Sequence, residues 1–243
     1  MIRIISCLDI KNNYVVKGIK FKKLKKINDV FFLSINYLKK KIDEITLLDI
    51  TANYTKKSLS KKIIKKISKK INIPLSIGGG INCLLIIKKY FNIGTDKVII
   101  NSFSYKKIEI IKFFFEFYGT QALIISIDIK KKKKNFFTYK NSGYIKSNFL
   151  LLDWIIILKK IGSGEFLITS IDKDGICKGY DIKIYYFLKK ILKILIIISG
   201  GIGSINDIYF LYKKCSFNSF LIASIFHKNY LKPIYFKKYI KIL

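Results

Sequence analysis

The chain of 243 residues is 51% hydrophobic, which is enough for one large domain with a sizeable core. Its formal net charge of +32 comes almost entirely from lysine and would ordinarily indicate a nucleic-acid partner or an anionic membrane surface. The chain is also rich in Ile, Asn, Phe and Tyr, which A/T-rich codons encode, so compositional drift explains the charge at least as well as a selected basic patch does.

Short apolar runs alternate with segments of helical periodicity along the whole chain. The runs that we predict to be strands cover residues 3–9, 44–49, 75–77, 97–101, 123–128, 165–170, 195–198 and 219–223. The predicted helices cover residues 30–41, 59–71, 83–90, 105–118, 149–161, 182–192 and 205–214. Residues 11–26 are predicted to form a lysine-rich loop long enough to cover a site, and residues 130–134 a solvated hairpin or loop. Strands that alternate with helices are typical of a parallel sheet.

The sequence also repeats itself, with four landmarks recurring in the same order at a spacing of about 120 residues. The recurring pairs are Asp9 with Asp128, Asp49 with Thr169, Gly80 with Gly201, and Ser102 with Ser224. Two similar halves of four strands each favour a closed (β/α)8 TIM barrel, for which about 250 residues are typical, over an open doubly wound sheet. We expect this barrel to form one domain over residues 1–243.

Two of the predicted strands end abruptly on glycines, in Gly78-Gly79-Gly80 and in Gly200-Gly201. Glycines allow a tight turn and bring bare backbone N–H groups close to an anion, here beside a predicted helix N-terminus. A tight strand-to-helix turn without a ligand is the alternative. The predicted anion sites are Gly80, Asn101 and Ser102 for the first, and Gly201, Ala223, Ser224, Asp174 and Gly175 for the second. Two sites related by the repeat predict a substrate with a phosphate group at each end.

The few acidic residues concentrate at one end of the predicted strands. Asp9, Asp49 and Asp128 fall at strand ends, and Asp172 and Asp174 follow the sixth strand. Since only 15 acidic residues stand against 47 basic ones, we do not attribute this concentration to drift. The active site of a (β/α)8 barrel lies at the carboxyl ends of its strands. We therefore predict that Asp9 and Asp128 face each other there as acid and base, whereas Asp49 has a helix cap or an ion pair as an equal alternative.

The opposite ends of four predicted strands carry charges, which we call the charged ring: Arg3, Glu44, Lys97 and Glu165. Strand starts lie at the bottom face of a barrel, away from the active site, where residues ordinarily serve stability. Two bases and two acids in that position predict a closed ring of salt bridges.

Four scattered cysteines and a single histidine limit the metal and redox chemistry. The cysteines Cys7, Cys83, Cys177 and Cys215 show no C-x-x-C spacing, which argues against a zinc site or a disulfide framework and favours a reducing compartment. Because His227 is the only histidine, a His-based metal cluster within the chain is excluded, and we expect no metal or cofactor. The N-terminus lacks a signal-peptide pattern, and the apolar run 150–158 is too short to span a membrane, so we expect a cytoplasmic protein.

Several motifs resemble those of a known enzyme family. They are Cys7-Leu8-Asp9-Ile10-Lys11, Val16-Lys17-Gly18, Leu48-Asp49-Ile50-Thr51-Ala52, Gly78-Gly79-Gly80-Ile81, Thr169-Ser170-Ile171-Asp172-Lys173-Asp174-Gly175, Gly179-Tyr180-Asp181 and Ser199-Gly200-Gly201. Over essentially the whole chain, they resemble the cyclase subunit of imidazole glycerol phosphate synthase, of histidine biosynthesis. The resemblance implies a (β/α)8 barrel that uses ammonia to convert a bisphosphorylated ribulosyl-formimino aminoimidazole carboxamide ribonucleotide into imidazole glycerol phosphate and aminoimidazole carboxamide ribonucleotide.

The resemblance also implies roles for individual residues. Asp9 and Asp128 match the acid/base pair of the family, and Lys17 lies in the loop over the site. Thr169, on the matching Thr-Ser-Ile-Asp-Lys-Asp-Gly motif, joins the residues expected to bind substrate. The charged ring is implied to gate the barrel interior, where ammonia enters from a glutaminase (glutamine amidotransferase) subunit docked at the N-terminal face. Asp96 would then lie on the docking surface.

The sequence departs from the family in two segments. Residues 20–26 are unusually rich in lysine, and residues 141–148 keep Gly143 but little else of a glycine-rich pattern. Two alternatives stay open. The sister ketol-isomerase of the same pathway shares the repeat, the phosphate sites and the paired acids, although the Cys-Leu-Asp opening and the Thr-Ser-Ile-Asp-Lys-Asp-Gly loop favour the cyclase. The other is a degenerate basic barrel that binds nucleic acid, which the presence of both aspartates and both glycine loops disfavours.

Overall fold

The structure is a computed structural model that describes residues 2–52, 59–191, 194–231 and 233–242. Its strands are β1 (Arg3–Lys11), β2 (Tyr14–Ile19), β3 (Lys22–Asp29), β4 (Glu44–Asp49), β5 (Leu75–Gly78), β6 (Lys97–Ile100), β7 (Leu123–Lys132), β8 (Asn135–Lys140), β9 (Ile145–Leu150), β10 (Glu165–Ser170), β11 (Leu195–Ser199) and β12 (Ser219–Ile222). Its helices are α1 (Val30–Lys39), α2 (Lys61–Ser68), α3 (Leu84–Asn92), α4 (Ile108–Tyr118), α5 (Leu151–Lys160), α6 (Ile182–Ile191), α7 (Ile205–Cys215), α8 (Ser224–His227) and α9 (Pro233–Ile242). The predicted end of the sixth helix at Leu192 falls outside the described residues.

Eight of the strands close into a parallel barrel. Each pairs with the next in the order β1, β4, β5, β6, β7, β10, β11 and β12. The barrel closes where β12 returns to β1, with Ser219 opposite Arg3 and Ile222 opposite Ser6. A helix lies between each pair of successive barrel strands. The predicted (β/α)8 TIM barrel is confirmed, while the similarity of its two halves stays a prediction.

Alternate residues of each barrel strand face opposite sides of the sheet. In β1, Ile4 and Leu8 belong to the large core between barrel and helices, whereas Ile5 and Cys7 face the barrel interior. The buried hydrophobic residues of that interior form what we call the interior cluster: Ile5, Cys7, Ile99, Ile124, Leu167, Ile197, Leu221 and Ala223. Because these strands are buried on both faces, they stand out in the sequence as continuous apolar runs.

The helices cover the barrel with one apolar face each. In α5, Leu151, Trp154, Ile155 and Leu158 are buried, at the i, i+3, i+4, i+7 spacing that places them on one side. The last turn of this helix carries Lys159 and Lys160, where positive charge complements the helix dipole. Lysine therefore occupies the solvent side of the layer.

The prediction of a loop over residues 11–26 is wrong. β2 and β3 form an antiparallel hairpin that continues from β1 beyond the barrel. Val15 and Val16 are buried, whereas every residue of β3 is exposed, so β3 is a strand because its backbone pairs with β2. The turn from β1 to β2 at Asn12-Asn13 and the turn from β2 to β3 at Lys20-Phe21 each have two residues with positive φ. This is the backbone geometry of a type I′ hairpin, whose twist matches that of the flanking strands.

The second lysine-rich segment, residues 130–134, is a hairpin, which is one of the two predicted alternatives. It joins β7 to β8, and β9 continues the antiparallel extension. The sequence did not predict β8, β9, α8 or α9. Both hairpin extensions rise from the carboxyl ends of barrel strands, so they border the end where the site is expected.

Candidate active site

A cavity of about 330 Å³ opens at the carboxyl ends of the barrel strands. All the residues that the sequence predicts for catalysis or substrate binding line it. They are Asp9, Lys17, Gly80, Asn101, Ser102, Asp128, Thr169, Asp174, Gly175, Gly201, Ala223 and Ser224. The structure therefore brings them together in one place, while their individual roles stay predictions.

The position of the two predicted acids follows from the strand register. Asp9 in β1 lies opposite Leu48 of β4, and Asp128 in β7 lies opposite Thr169 of β10, in each case near the carboxyl end. Because β7 is four strands away from β1 in a barrel of eight, the two carboxylates approach the cavity from opposite sides. Each carboxylate has its own hydrogen-bond partner, Lys17 for Asp9 and Asn101 for Asp128.

Lys17 links Asp9 to the loop after β10. Its Nζ donates to Asp9 Oδ2 at 2.8 Å and to Asp174 Oδ1 at 3.2 Å, and its side chain is only 10% exposed. Burial disfavours the ammonium, but the carboxylates of Asp174 and Asp9 outweigh burial and raise the pKa of Lys17. Burial also raises the pKa of Asp174, and the positive charge of Lys17 offsets only part of this increase. Lys17 is therefore a fixed positive charge between two carboxylates.

Asp128 lies in different surroundings. Its hydrogen-bond partner is the neutral amide of Asn101, whose Nδ2 donates to Asp128 Oδ2 at 3.0 Å. Burial, followed by the negative charge of Asp174, raises the pKa of Asp128 to about 7, while the Asn101 hydrogen bond opposes the shift. A carboxyl group with this pKa is protonated in a large fraction of molecules at neutral pH, so it can donate a proton.

Two glycine turns form part of the cavity wall. Gly80 has a φ of 65°, and a Cβ there would lie 2.3 Å from the Cβ of Ala52. Gly201 has a φ of 120°, and a Cβ there would lie 2.4 Å from the Gly179 carbonyl oxygen. Both positions therefore exclude a side chain, and only glycine allows the chain to turn this tightly beside the cavity.

Asp49 serves its own loop. Its Oδ1 accepts hydrogen bonds from the backbone N–H of Thr51 at 2.9 Å, the Thr51 hydroxyl at 2.9 Å and the backbone N–H of Ala52 at 3.0 Å. Of the two structural alternatives for this residue, the capping role matches these contacts. Asp49 also lines the cavity, but its carboxylate is engaged in fixing the turn after β4.

The charged ring forms at the other end of the barrel. Arg3 contacts Glu44 at 3.0 Å and Glu165 at 2.5 Å, and Lys97 contacts Glu165 at 3.1 Å and Glu44 at 3.8 Å. The predicted closed ring of ion pairs is therefore present. Burial alone would raise the pKa of Glu165, but its hydrogen bond to Arg3 and the charges of Arg3 and Lys97 lower it below its ordinary value.

Some residues of the cavity wall were not predicted from the sequence. Phe21 and Leu24 come from the β2–β3 hairpin, and Tyr144 comes from the turn between β8 and β9. The hairpin is held over the cavity because the Lys20 N–H donates to the Asp174 carbonyl oxygen at 3.0 Å. Because residues 11–26 are predicted as a loop, no strand register was assigned to them. The sequence therefore did not predict that these side chains face the cavity. Cys7 also lines the cavity. Its position there could have been predicted, because it lies two residues before Asp9 on the same face of β1.

The described part of the chain offers no cluster of metal ligands. Among these residues, no group of three or more His, Cys, Asp and Glu side chains is placed to hold a metal ion. Within the same ranges, no helix is long and apolar enough to cross a membrane.

Comparison with known proteins gives a consistent result. A family model described as "Histidine biosynthesis protein" matches residues 3–232. The imidazole glycerol phosphate synthase subunit HisF of Natranaerobius thermophilus is 37% identical, over 94% of this chain and 95% of the relative. The corresponding subunits of a Hydrogenobaculum species and of Sulfolobus acidocaldarius are 39% and 35% identical, each over 98% of this chain and 95% of the relative. The barrel carries the family motifs around one cavity, and the relatives match along nearly their full length. The chain therefore belongs to the HisF family of imidazole glycerol phosphate synthase subunits.

Proposed function

We propose that this cavity catalyses the ammonia-dependent cyclisation that yields imidazole glycerol phosphate and aminoimidazole carboxamide ribonucleotide from the bisphosphorylated ribulosyl-formimino precursor. The observation that carries the proposal is that Asp9 and Asp128 line one cavity from opposite sides, in different electrostatic surroundings. Membership of the HisF family, the cyclase subunit of histidine biosynthesis, supports the reaction.

The two acids divide the proton transfers. Addition of ammonia to a carbonyl carbon, ring closure and release of an amine require protons to be taken from the attacking nitrogen and given to the groups that leave. Asp128, with its pKa raised to about 7, is the general acid. Asp9, held by Lys17, is the general base. Lys17 thus orients Asp9 and adds a positive charge to the centre of the site.

The substrate spans the cavity between the two glycine turns, with one phosphate at each. The residues that receive the first phosphate are Gly80, Asn101 and Ser102, and those that receive the second are Gly175, Gly201, Ala223 and Ser224. Bare backbone and hydroxyl groups suit phosphate oxygens at these places. Thr169 and Asp174 line the cavity as well. We assign both to the middle of the substrate. Asp174 was predicted for the second anion site, but its carboxylate is paired with Lys17.

Ammonia reaches the site through the barrel interior. The charged ring closes the N-terminal end of the barrel. The apolar side chains of the interior cluster line the path from the ring to the cavity. An apolar passage favours neutral ammonia over a hydrated ion. The relatives are named as subunits, which indicates a synthase of more than one chain. We propose that a glutamine amidotransferase subunit docks at the N-terminal face, where Asp96 is exposed, and that the assembly is cytoplasmic.

The test is a cyclase assay with the purified chain, the bisphosphorylated precursor and ammonium chloride. Asp9→Asn and Asp128→Asn are each expected to lower kcat by about a hundredfold or more, since each removes one proton-transfer group. The exposed Asp153→Asn serves as the control and should match the parent. In the parent, kcat/KM for the precursor, measured at a constant concentration of free NH3, should fall as the pH rises through about 7, because only protonated Asp128 donates.

Near-parent rates in either active-site variant, with unchanged far-UV circular dichroism in all proteins, would exclude the acid/base assignment. An isomerised product formed without ammonium would instead favour the sister isomerase.

A further inference from the structure

His227, the only histidine of the chain, has no role in the site described above. It is the last residue of α8, is 9% exposed and does not line the active-site cavity. Its ring nevertheless makes two buried hydrogen bonds, Nε2 with the Cys7 carbonyl oxygen at 3.1 Å and Nδ1 with the Tyr37 hydroxyl at 2.6 Å. Since a carbonyl only accepts, Nε2 carries the proton and Nδ1 accepts from Tyr37. Burial lowers the pKa of His227 to about 4, so the ring is neutral at pH 7, as this arrangement requires.

The carbonyl that His227 binds lies at the point where β1 leaves β12. The ladder between these strands runs from Arg3 opposite Ser219 to Ser6 opposite Ile222, and Cys7 is the first residue beyond it. On its other side, β1 stays paired with β4 as far as Ile10. On the side of β12, β2 takes over from Asp9, which lies opposite Val16. The imidazole therefore binds the β1 backbone in the gap between the end of the β12 ladder and the start of the β2 ladder.

The ring itself is held on several sides. Tyr37, from α1, is buried, and its ring is stacked against the His227 ring with centroids 5.8 Å apart. Phe226 packs against Tyr37 with centroids 6.1 Å apart. A side chain fixed by packing and by two hydrogen bonds transmits its position to the group it binds. The chain of contacts thus runs from α1 through His227 to the backbone of β1.

Asp9 lies two residues beyond Cys7 on the same face of β1, and the Cys7 Sγ is 3.5 Å from Asp9 Oδ1. We infer that His227 is a positioning residue, which holds the Cys7 carbonyl and thereby fixes the carboxyl end of β1 and the direction of the Asp9 carboxylate. This inference rests on the proposed role of Asp9 as the base. Without the imidazole, the Cys7 carbonyl would lose its hydrogen bond in the gap between the β12 and β2 ladders, and the Asp9–Lys17 pair would be held less firmly.

The test compares three variants of the full chain in the ammonium-dependent assay. His227→Phe keeps a planar ring but removes both hydrogen bonds, His227→Gln keeps an N–H donor, and Tyr37→Phe removes only the outer partner. We expect His227→Phe to lower kcat by about tenfold with KM within about twofold, because a small misplacement of a reacting group slows the chemical step. His227→Gln should recover most of the loss, and Tyr37→Phe should show a smaller loss of kcat. Ile111→Val, on the buried face of α4, is the control for destabilisation and should leave kcat unchanged.

A second measurement does not depend on activity. Backbone amides at residues 7–10 should exchange with solvent faster in His227→Phe than in the parent, by more than the barrel average, and His227→Gln should restore protection. Parent-like kcat and parent-like exchange in His227→Phe would overturn the inference. The inference would also be overturned if His227→Phe and His227→Gln lost kcat equally and the losses simply tracked their melting temperatures. A parent without cyclase activity would refute the proposed function instead, and the exchange data would still decide whether His227 holds β1.

Discussion

Replacing Asp128 by asparagine should stabilise the protein at alkaline pH. Asp128 is 7% exposed, and burial followed by the Asp174 charge raises its pKa from 3.8 to about 7. The folded chain therefore holds this proton more tightly than the unfolded chain, and stability falls as the pH rises from about 4 through 7. At 1.36 kcal/mol per unit, the shift corresponds to about 4 kcal/mol at pH 8. The asparagine side chain cannot ionise, and its carbonyl oxygen can still accept from Asn101, so the variant avoids this cost.

The assay is urea unfolding of the parent and of Asp128→Asn at several pH values between 4 and 8.5. The variant should be more stable by up to about 4 kcal/mol at pH 8, and the difference should shrink to less than about 1 kcal/mol at pH 4. Asp153→Asn, which removes a carboxylate on the exposed side of α5, is the matched control. A variant less stable than the parent at pH 8, or a difference that does not change with pH, would refute the reasoning.

Two further predictions concern the charges of the chain. Lys97→Ala and Glu165→Ala each open the charged ring. In a complex with the proposed glutaminase subunit, they should impair glutamine-dependent synthesis more than synthesis from free ammonium. Equal loss with both nitrogen sources would mean that the ring only stabilises the barrel. If the charge of +32 is compositional drift, binding to duplex DNA should be weak and should fall steeply with added salt, as for any polycation. Sequence-specific binding that persists at physiological salt would contradict that interpretation.

The barrel could be predicted because its strands are buried on both faces. Glu44–Asp49 and Glu165–Ser170 were predicted with the observed bounds, since each is an apolar run that begins with a charged residue and ends with a polar one. The β2–β3 hairpin could not be predicted in this way. β3 is lysine-rich and exposed along its length, and only backbone pairing with β2 makes it a strand. The one local signal was Asn12-Asn13, a pair suited to the positive φ of both turn residues.

The site was predictable to the extent that strand ends define it. Asp9 and Asp128 were predicted to share one cavity because they lie at the carboxyl ends of β1 and β7. The glycine turns predicted two parts of the cavity wall. Contacts between distant parts of the chain had no signal in the sequence. Lys17 contacts Asp174 across 157 positions, and His227 contacts Cys7 across 220. Such contacts depend on how the hairpin and α8 fold back over the barrel, which no local pattern describes.

The two ends of the barrel shift the pKa values of buried carboxyl groups in opposite directions. Glu165 is buried between Arg3 and Lys97, and these positive charges outweigh burial and lower its pKa. Asp128 is buried as well, but the charges that act on it are the carboxylates of Asp174 and Asp9, which add to burial and raise its pKa. The opposing contribution comes from the neutral amide of Asn101, which is weaker than an ion pair. The arrangement of like and unlike charges, and not burial alone, therefore makes one carboxylate a permanent partner in an ion pair and leaves the other able to give up a proton near neutral pH.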